Sequence, residues 1–135
     1  MRFKVMMVAA AMMAATPSAV AQENTQTPAA ARAVQAHVDA YRARNLDRYV
    51  RTFAPNAVVT MNGVVLANGH EEIRALYRLN FTEDAPKIRI DDSGMTGDRV
   101  YLSVGYVFAN GSEECCSYSE YTVSGGKITR LDTNT

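Results

Sequence analysis

Two histidines, four adjacent pairs of acids and one pair of adjacent cysteines are the evident acid–base, metal-binding and redox side chains of this 135-residue chain. His37 comes first, because an imidazole titrates near neutrality and can serve in a pocket as a general base or as a hydrogen-bond partner. Its spacing admits two positions: turned inward between Val34 and Tyr41, or partly exposed on the helix surface. His70 stands beside Glu71 and Glu72 at a helix start, where solvation or capping accounts for it. The two histidines are far apart and lack HxH or HExxH spacing, so no metal centre and no cofactor are expected. Of the acid pairs, Glu71–Glu72, Glu83–Asp84 and Glu113–Glu114 fall at helix starts, loops or strand ends, where paired acids are wet surface. Asp91–Asp92 sits in an alternating stretch whose neighbours face opposite sides, so one of the two is a candidate acid–base group turned inward. Cys115 and Cys116 are adjacent, with Cα atoms only ~3.8 Å apart across a trans peptide, whereas disulfides want ~4.4–6.8 Å. A ring between neighbours is possible but strained. Strand alternation instead sends one sulfur inward as a small hydrophobe and the other outward, available for pairing between chains in an oxidising compartment.

That compartment is read from the first 21 residues. Arg2 and Lys4 precede the apolar run Val5 to Ala15, Thr16-Pro17-Ser18 breaks it, and Ala19-Val20-Ala21 supplies the small-x-small pattern of a cleavage site. The apolar run is too short to span ~30 Å of hydrocarbon as a helix, so residues 1–21 read as a secretory signal peptide rather than an anchor. The expected mature chain is Gln22 to Thr135, periplasmic or secreted, with no membrane association after cleavage. Residues 22–28 are polar and read as a flexible leader, and residues 29–135 form one domain. Removing Arg2 and Lys4 leaves 12 basic against 14 acidic side chains, scattered without a basic stripe, so nucleic acid is not expected as a partner.

The elements that must position these side chains follow from periodicity. Thr27-Pro28 starts a helix that carries Val34, Val38 and Tyr41 on one side. Asn45 stops it and caps a second helix, whose stripe is Leu46, Tyr49, Val50 and Phe53, with Pro55-Asn56 as its end. The period then switches to two. Ala57–Met61 reads as a strand, Asn62-Gly63 as a tight hairpin turn, and Val64–Leu66 as the returning strand. Asn68-Gly69 opens a third helix with Ile73, Leu76, Tyr77 and Phe81 on one face, and Pro86 precedes four further strands. The order α-α-β-β-α-β-β-β-β gives an α+β class: three helices in the N-terminal half, packed on a strongly curved, mostly antiparallel sheet forming a cone-shaped barrel.

The segment "NLDRYVRTFAPNAVV", the hairpin after it and "GHEEIRALY" resemble the nuclear transport factor 2-like superfamily, in its SnoaL-like and ketosteroid isomerase-like branch, over about residues 30 to 132. That superfamily includes isomerases, dehydratases, cyclases, epoxide hydrolases and inert modules, so the resemblance speaks to fold before function. Isomerase-type relatives take a proton with an aspartate on the strand leading into the first hairpin. They hold the enolate with a first-helix tyrosine and a protonated late-strand aspartate. Alignment on Phe53, Ile73 and the last glycine-lysine turn puts Met61 at the base, His37 at the tyrosine and Ser119 at the acid. Methionine accepts no proton, so that mechanism is not expected. Tyr77 matches a tyrosine of the third helix that supports the pocket in this branch.

If Ser119 faces inward, alternation turns Cys115, Ser117, Tyr121 and Val123 inward too, and Cys116, Tyr118 and Glu120 outward. With Met61, Tyr77 and Leu131 these residues would line a pocket suited to a small, largely apolar ligand with one or two hydrogen-bonding groups. An enzyme of lyase, isomerase or hydrolase type would need His37 or one of Asp91 and Asp92 as its acid–base group. The alternatives are a packed core without ligand, or a non-catalytic module that dimerises through the outer sheet face near Tyr118, Glu120 and Thr122; a homodimer is the expected assembly.

Overall fold

The computed structural model describes residues 28–135. The expected signal peptide and the expected leader up to Thr27 lie outside the described residues. Helix α1 (Ala29–Arg42) begins one residue after Pro28, whose backbone is extended and whose carbonyl accepts from the Arg32 amide at 3.1 Å. Its alanines carry no side-chain entropy cost, and it buries Val34, His37, Val38 and Ala40. Asn45 caps α2 (Leu46–Arg51), its side chain accepting from the Arg48 amide at 3.0 Å.

Strand β1 (Phe53–Met61) starts four residues earlier than the sequence pattern implies, and Pro55 lies within it rather than ending a helix. The pairing explains why proline is tolerated. Against its parallel neighbour the register jumps from Phe53↔Ile128 to Val58↔Arg130, so Pro55 sits where no ladder bond is required of it. Asn62 (φ 50°) and Gly63 (φ 82°) form the hairpin turn to β2 (Val64–Asn68), both in the left-handed region that such a turn demands. Helix α3 (His70–Tyr77) follows, and Phe81 belongs to the 3₁₀ turn Arg78–Phe81 instead of the helix. Strands β3 (Lys87–Thr96), β4 (Arg99–Val107), β5 (Glu113–Ser124) and β6 (Lys127–Asn134) complete the chain.

The sheet order is β2-β1-β6-β5-β4-β3, antiparallel except for β1 beside β6. Both β2 and β3 are edges, so the expected barrel does not close: the sheet is a curved, open half-shell around the helices. Closure would need β2 to bond β3, and the helical layer stands between the two ends. Phe53, Ile73, Ile128, Val50 and Val59 are the largest fully buried side chains, and they tie α2, α3, β1 and β6 together.

Gly69 fixes how α3 enters. Its φ of 90° and ψ of 165° lie in a region essentially reserved for glycine, and a Cβ there would stand 3.4 Å from the Pro55 carbonyl oxygen. Gly69→Ala is therefore expected to lower stability by about 1–3 kcal/mol in urea unfolding; a variant as stable as the parent would mean that the backbone relaxes freely there.

Candidate functional site

The inner face of the sheet is set by register. Leu102, Ser119, Thr133 and Met61 form one row across β4, β5, β6 and β1, and Val100, Tyr121, Leu131 and Val59 form the next. Over these rows lie α1 and the two following helices, leaving a cavity of about 150 Å³. His37, Met61, Tyr77, Ser117, Ser119, Tyr121 and Leu131 all line it, Ser117, Ser119 and Tyr121 from the strand face that alternation turns inward. Met61 is 39% exposed and stands at the rim, at the end of β1.

Cys115 does not line the cavity. Both cysteines are exposed, and their sulfurs are joined to each other across a cis peptide bond. The parity inferred from Ser119 fails beyond Ser117 because Cys115 and Cys116 together oppose the single residue Gly105, a bulge that breaks the period of two. Asp91 and Asp92 are likewise exposed, and neither borders the cavity. Another bulge, between Ile90 and Asp92, places them. His70 donates from Nε2 to the Phe53 carbonyl at 2.8 Å, a tether between α3 and β1 rather than a solvated group.

His37 is buried, 3% exposed, which removes the partly exposed reading. Its ring packs on Tyr49 (centroids 4.3 Å), Phe53 (5.1 Å) and Tyr121 (5.3 Å). With no opposite charge to compensate, burial lowers its pKa from 6.5 to about 3, so the ring is neutral at physiological pH. The tautomer follows from one short chain of hydrogen bonds. Thr52 Oγ1 donates its single proton to the Tyr49 carbonyl at 2.6 Å, because a carbonyl can only accept. His37 Nδ1, 2.9 Å from the same Oγ1, must then be the donor. A neutral imidazole with a protonated Nδ1 carries a bare lone pair on Nε2. His37 belongs to the cavity wall, whereas Thr52, which takes up its Nδ1, does not. Nε2 has no hydrogen-bond partner among the described residues.

The rest of the wall is polar but uncharged. Tyr41, Tyr49, Tyr77, Tyr106 and Tyr121 contribute to it, and among the described residues no carboxylate, lysine or arginine does. Burial raises the Tyr49 and Tyr121 hydroxyls well above their usual range and Tyr77 to about 12, so all three stay protonated. Tyr106 Oη and Ser117 Oγ are 2.9 Å apart, and Ser119 Oγ and Thr133 Oγ1 3.0 Å. These hydroxyls satisfy one another. His37 was legible as a candidate from its angular place on α1, but the Thr52 relay was not, since it joins side chains brought together only by the α1–α2 turn.

A curved sheet under three helices, enclosing an uncharged cavity, defines a class of proteins by its architecture. Residues 34–131 match the SnoaL-like domain, and the chain belongs to that family. A cystatin-fold protein from Novosphingobium aromaticivorans is similar, with 21% identity, a TM-score of 0.65, and coverage of 80% of this chain and 98% of that one. So is a candidate polyketide cyclase from Sinorhizobium meliloti, with 24% identity, a TM-score of 0.61, and coverage of 76% and 93%. A computationally designed 17-OHP binder shares the fold at 18% identity, with a TM-score of 0.65 and coverage of 79% and 91%. No curated protein matches the chain in sequence. At these identities the solved structures speak to fold alone.

Proposed function

We propose that this is an exported SnoaL-like protein whose cavity binds a small, neutral, largely apolar molecule bearing one hydrogen-bond donor, which His37 Nε2 accepts. The observation that carries the reading is a buried acceptor without a protein partner in the wall of an uncharged cavity. An unmade hydrogen bond to a buried group costs about 1–3 kcal/mol, and a donor from a ligand removes that cost. A volume of about 150 Å³ suits a single ring, since dry cavities of this size hold benzene-sized molecules.

Proton abstraction of the isomerase type has no support. The resemblance puts Met61 at the base position, both aspartates lie outside the cavity, and a His37 that protonates only near pH 3 is an acceptor rather than a base. The resemblance of fold to the candidate cyclase agrees with a small-molecule role without specifying a reaction. The outer sheet face near Glu120 carries an ion-pair network beside the stacked rings of Tyr101 and Tyr118: Arg99 bonds Glu120 at 2.7 Å and Asp132 at 2.8 Å. That favours the cavity over the dimer face as the functional feature.

Calorimetric titration with phenol and toluene, which differ by one donor, tests the assignment. Phenol is expected to bind roughly fivefold more tightly than toluene, as one net hydrogen bond of about 1 kcal/mol implies. His37→Leu should abolish that preference while toluene still binds, and Tyr77→Phe should leave the preference in place. A phenol preference that survives His37→Leu refutes the role of Nε2, and failure of both probes to bind the parent protein refutes the cavity.

A further inference from the structure

The outer face of the sheet carries a second group of reactive side chains, independent of the cavity. Two bulges meet there across β4. On β3, Asp91 is the extra residue between Ile90 and Asp92. On β5, Cys115 and Cys116 oppose Gly105. A carboxylate oxygen of Asp91 and the two sulfurs all lie within 4.8 Å of one another, and all three residues are exposed. Gly105 makes the approach feasible. A Cβ at that position would fall 2.5 Å from Arg89 Nη2 and 3.2 Å from Asp91 Oδ2, so a side chain there would displace both groups.

We propose that the reduced Cys115–Cys116 pair, with Asp91, is a binding site for one thiophilic divalent cation such as Cd²⁺ or Zn²⁺, and that joining the two sulfurs closes it. Opening the site takes two electrons and two protons, supplied by a thiol or phosphine reductant, and converts the S–S bond into two thiols. The cation then displaces both protons and is held by two thiolates and one carboxylate, with water in the fourth position of a tetrahedral shell. Thiolate ligands select soft cations over calcium or magnesium. In such a shell the two sulfurs stand about 3.8 Å apart, the edge of a tetrahedron with metal–sulfur bonds of about 2.3 Å.

Arg89 belongs to the arrangement as a positioning residue. It donates to Asp91 Oδ1 at 2.6 Å and to Oδ2 at 3.2 Å, and it also pairs with Glu113. A guanidinium in that place orients the carboxylate and offsets part of the surplus negative charge of a dithiolate site, as outer partners of metal-bound carboxylates do. The more weakly held Oδ2 is the oxygen free to turn to a cation.

Titration of the phosphine-reduced chain with Cd²⁺ alone, followed by the thiolate-to-cadmium charge-transfer band in the ultraviolet, tests this. One saturating equivalent per chain is expected, and none for the oxidised protein. Cys116→Ser should remove the band at one equivalent, and Asp91→Asn should weaken binding roughly tenfold or more while the fold, followed by circular dichroism, is retained. Three results would overturn the proposal: no saturable band in the reduced chain, half an equivalent per chain (thiols shared between two chains), or Asp91→Asn indistinguishable from the parent.

Discussion

Acidification is expected to weaken the folded protein steeply between about pH 6 and pH 4, and His37 is the reason. In the native state its pKa is about 3, while the unfolded chain offers an ordinary imidazole with a pKa of 6.5. Between those values the unfolded state binds a proton that the native state does not, so stability is complete above about 6.5 and falls as pH drops. The slope is about 1.4 kcal/mol per pH unit for one such group, giving a loss of several kcal/mol on approach to pH 3. Against a total of about 5–15 kcal/mol for a typical domain, this is a large fraction. Urea unfolding at successive pH values should show the slope in the parent and its loss in His37→Leu. Asp91 and Asp132 do not confuse the result. Arg89 holds the first below its usual 3.8; for the second, burial pushes upward but Thr60, Arg130 and Arg99 outweigh it. Their contributions are lost only below about pH 4. Parallel slopes in the parent and His37→Leu above that pH would show that the imidazole is solvated in the folded protein.

The same residue shows where sequence reasoning reaches and where it stops. Helical spacing left His37 either turned inward between Val34 and Tyr41 or partly exposed, and burial decides for the first. What it accepts or donates depends on Thr52, 15 positions away, and no local pattern encodes that meeting. Strand parity carried Ser117, Ser119 and Tyr121 inward correctly because β5 keeps an unbroken register with β4 from Ser117 to Tyr121. It misplaced Cys115, since a bulge is a property of two strands together: only the missing side chain of Gly105 hints at it in the sequence. The parallel pairing of β1 with β6 was equally hidden. Alternation reveals that a segment is a strand, whereas its neighbour is chosen by packing. The open sheet follows from that choice, as β1 inserts between β2 and β6 and leaves the hairpin as an edge.

Tyr49→Ala is expected to cost about 3–5 kcal/mol, the range for deleting a large buried aromatic. Tyr49 is 2% exposed and sits at the centre of a ring cluster. Its centroid lies 4.3 Å from His37, 5.0 Å from Phe81, 5.1 Å from Tyr77, 5.6 Å from Phe53 and 5.8 Å from Tyr41. These partners come from α1, α3, β1 and the 3₁₀ turn, so truncation opens a hole shared by four elements and leaves neighbours on each side without contacts. Tyr49→Phe removes only the hydroxyl, which interacts with Tyr77, and should cost about 1 kcal/mol. The pair separates packing from hydrogen bonding. It also bears on the cavity, since Tyr49 forms one of its walls and its carbonyl fixes the Thr52 proton that sets the His37 tautomer. Tyr49→Phe preserves that carbonyl and should keep the phenol preference. Thermal melts resolve the two outcomes, because 1 kcal/mol shifts Tm by roughly 4–8 °C in a domain near 100 residues. A Tyr49→Ala variant that melts within a few degrees of the parent would mean that the cluster is loosely packed, and the walls of the proposed binding cavity with it.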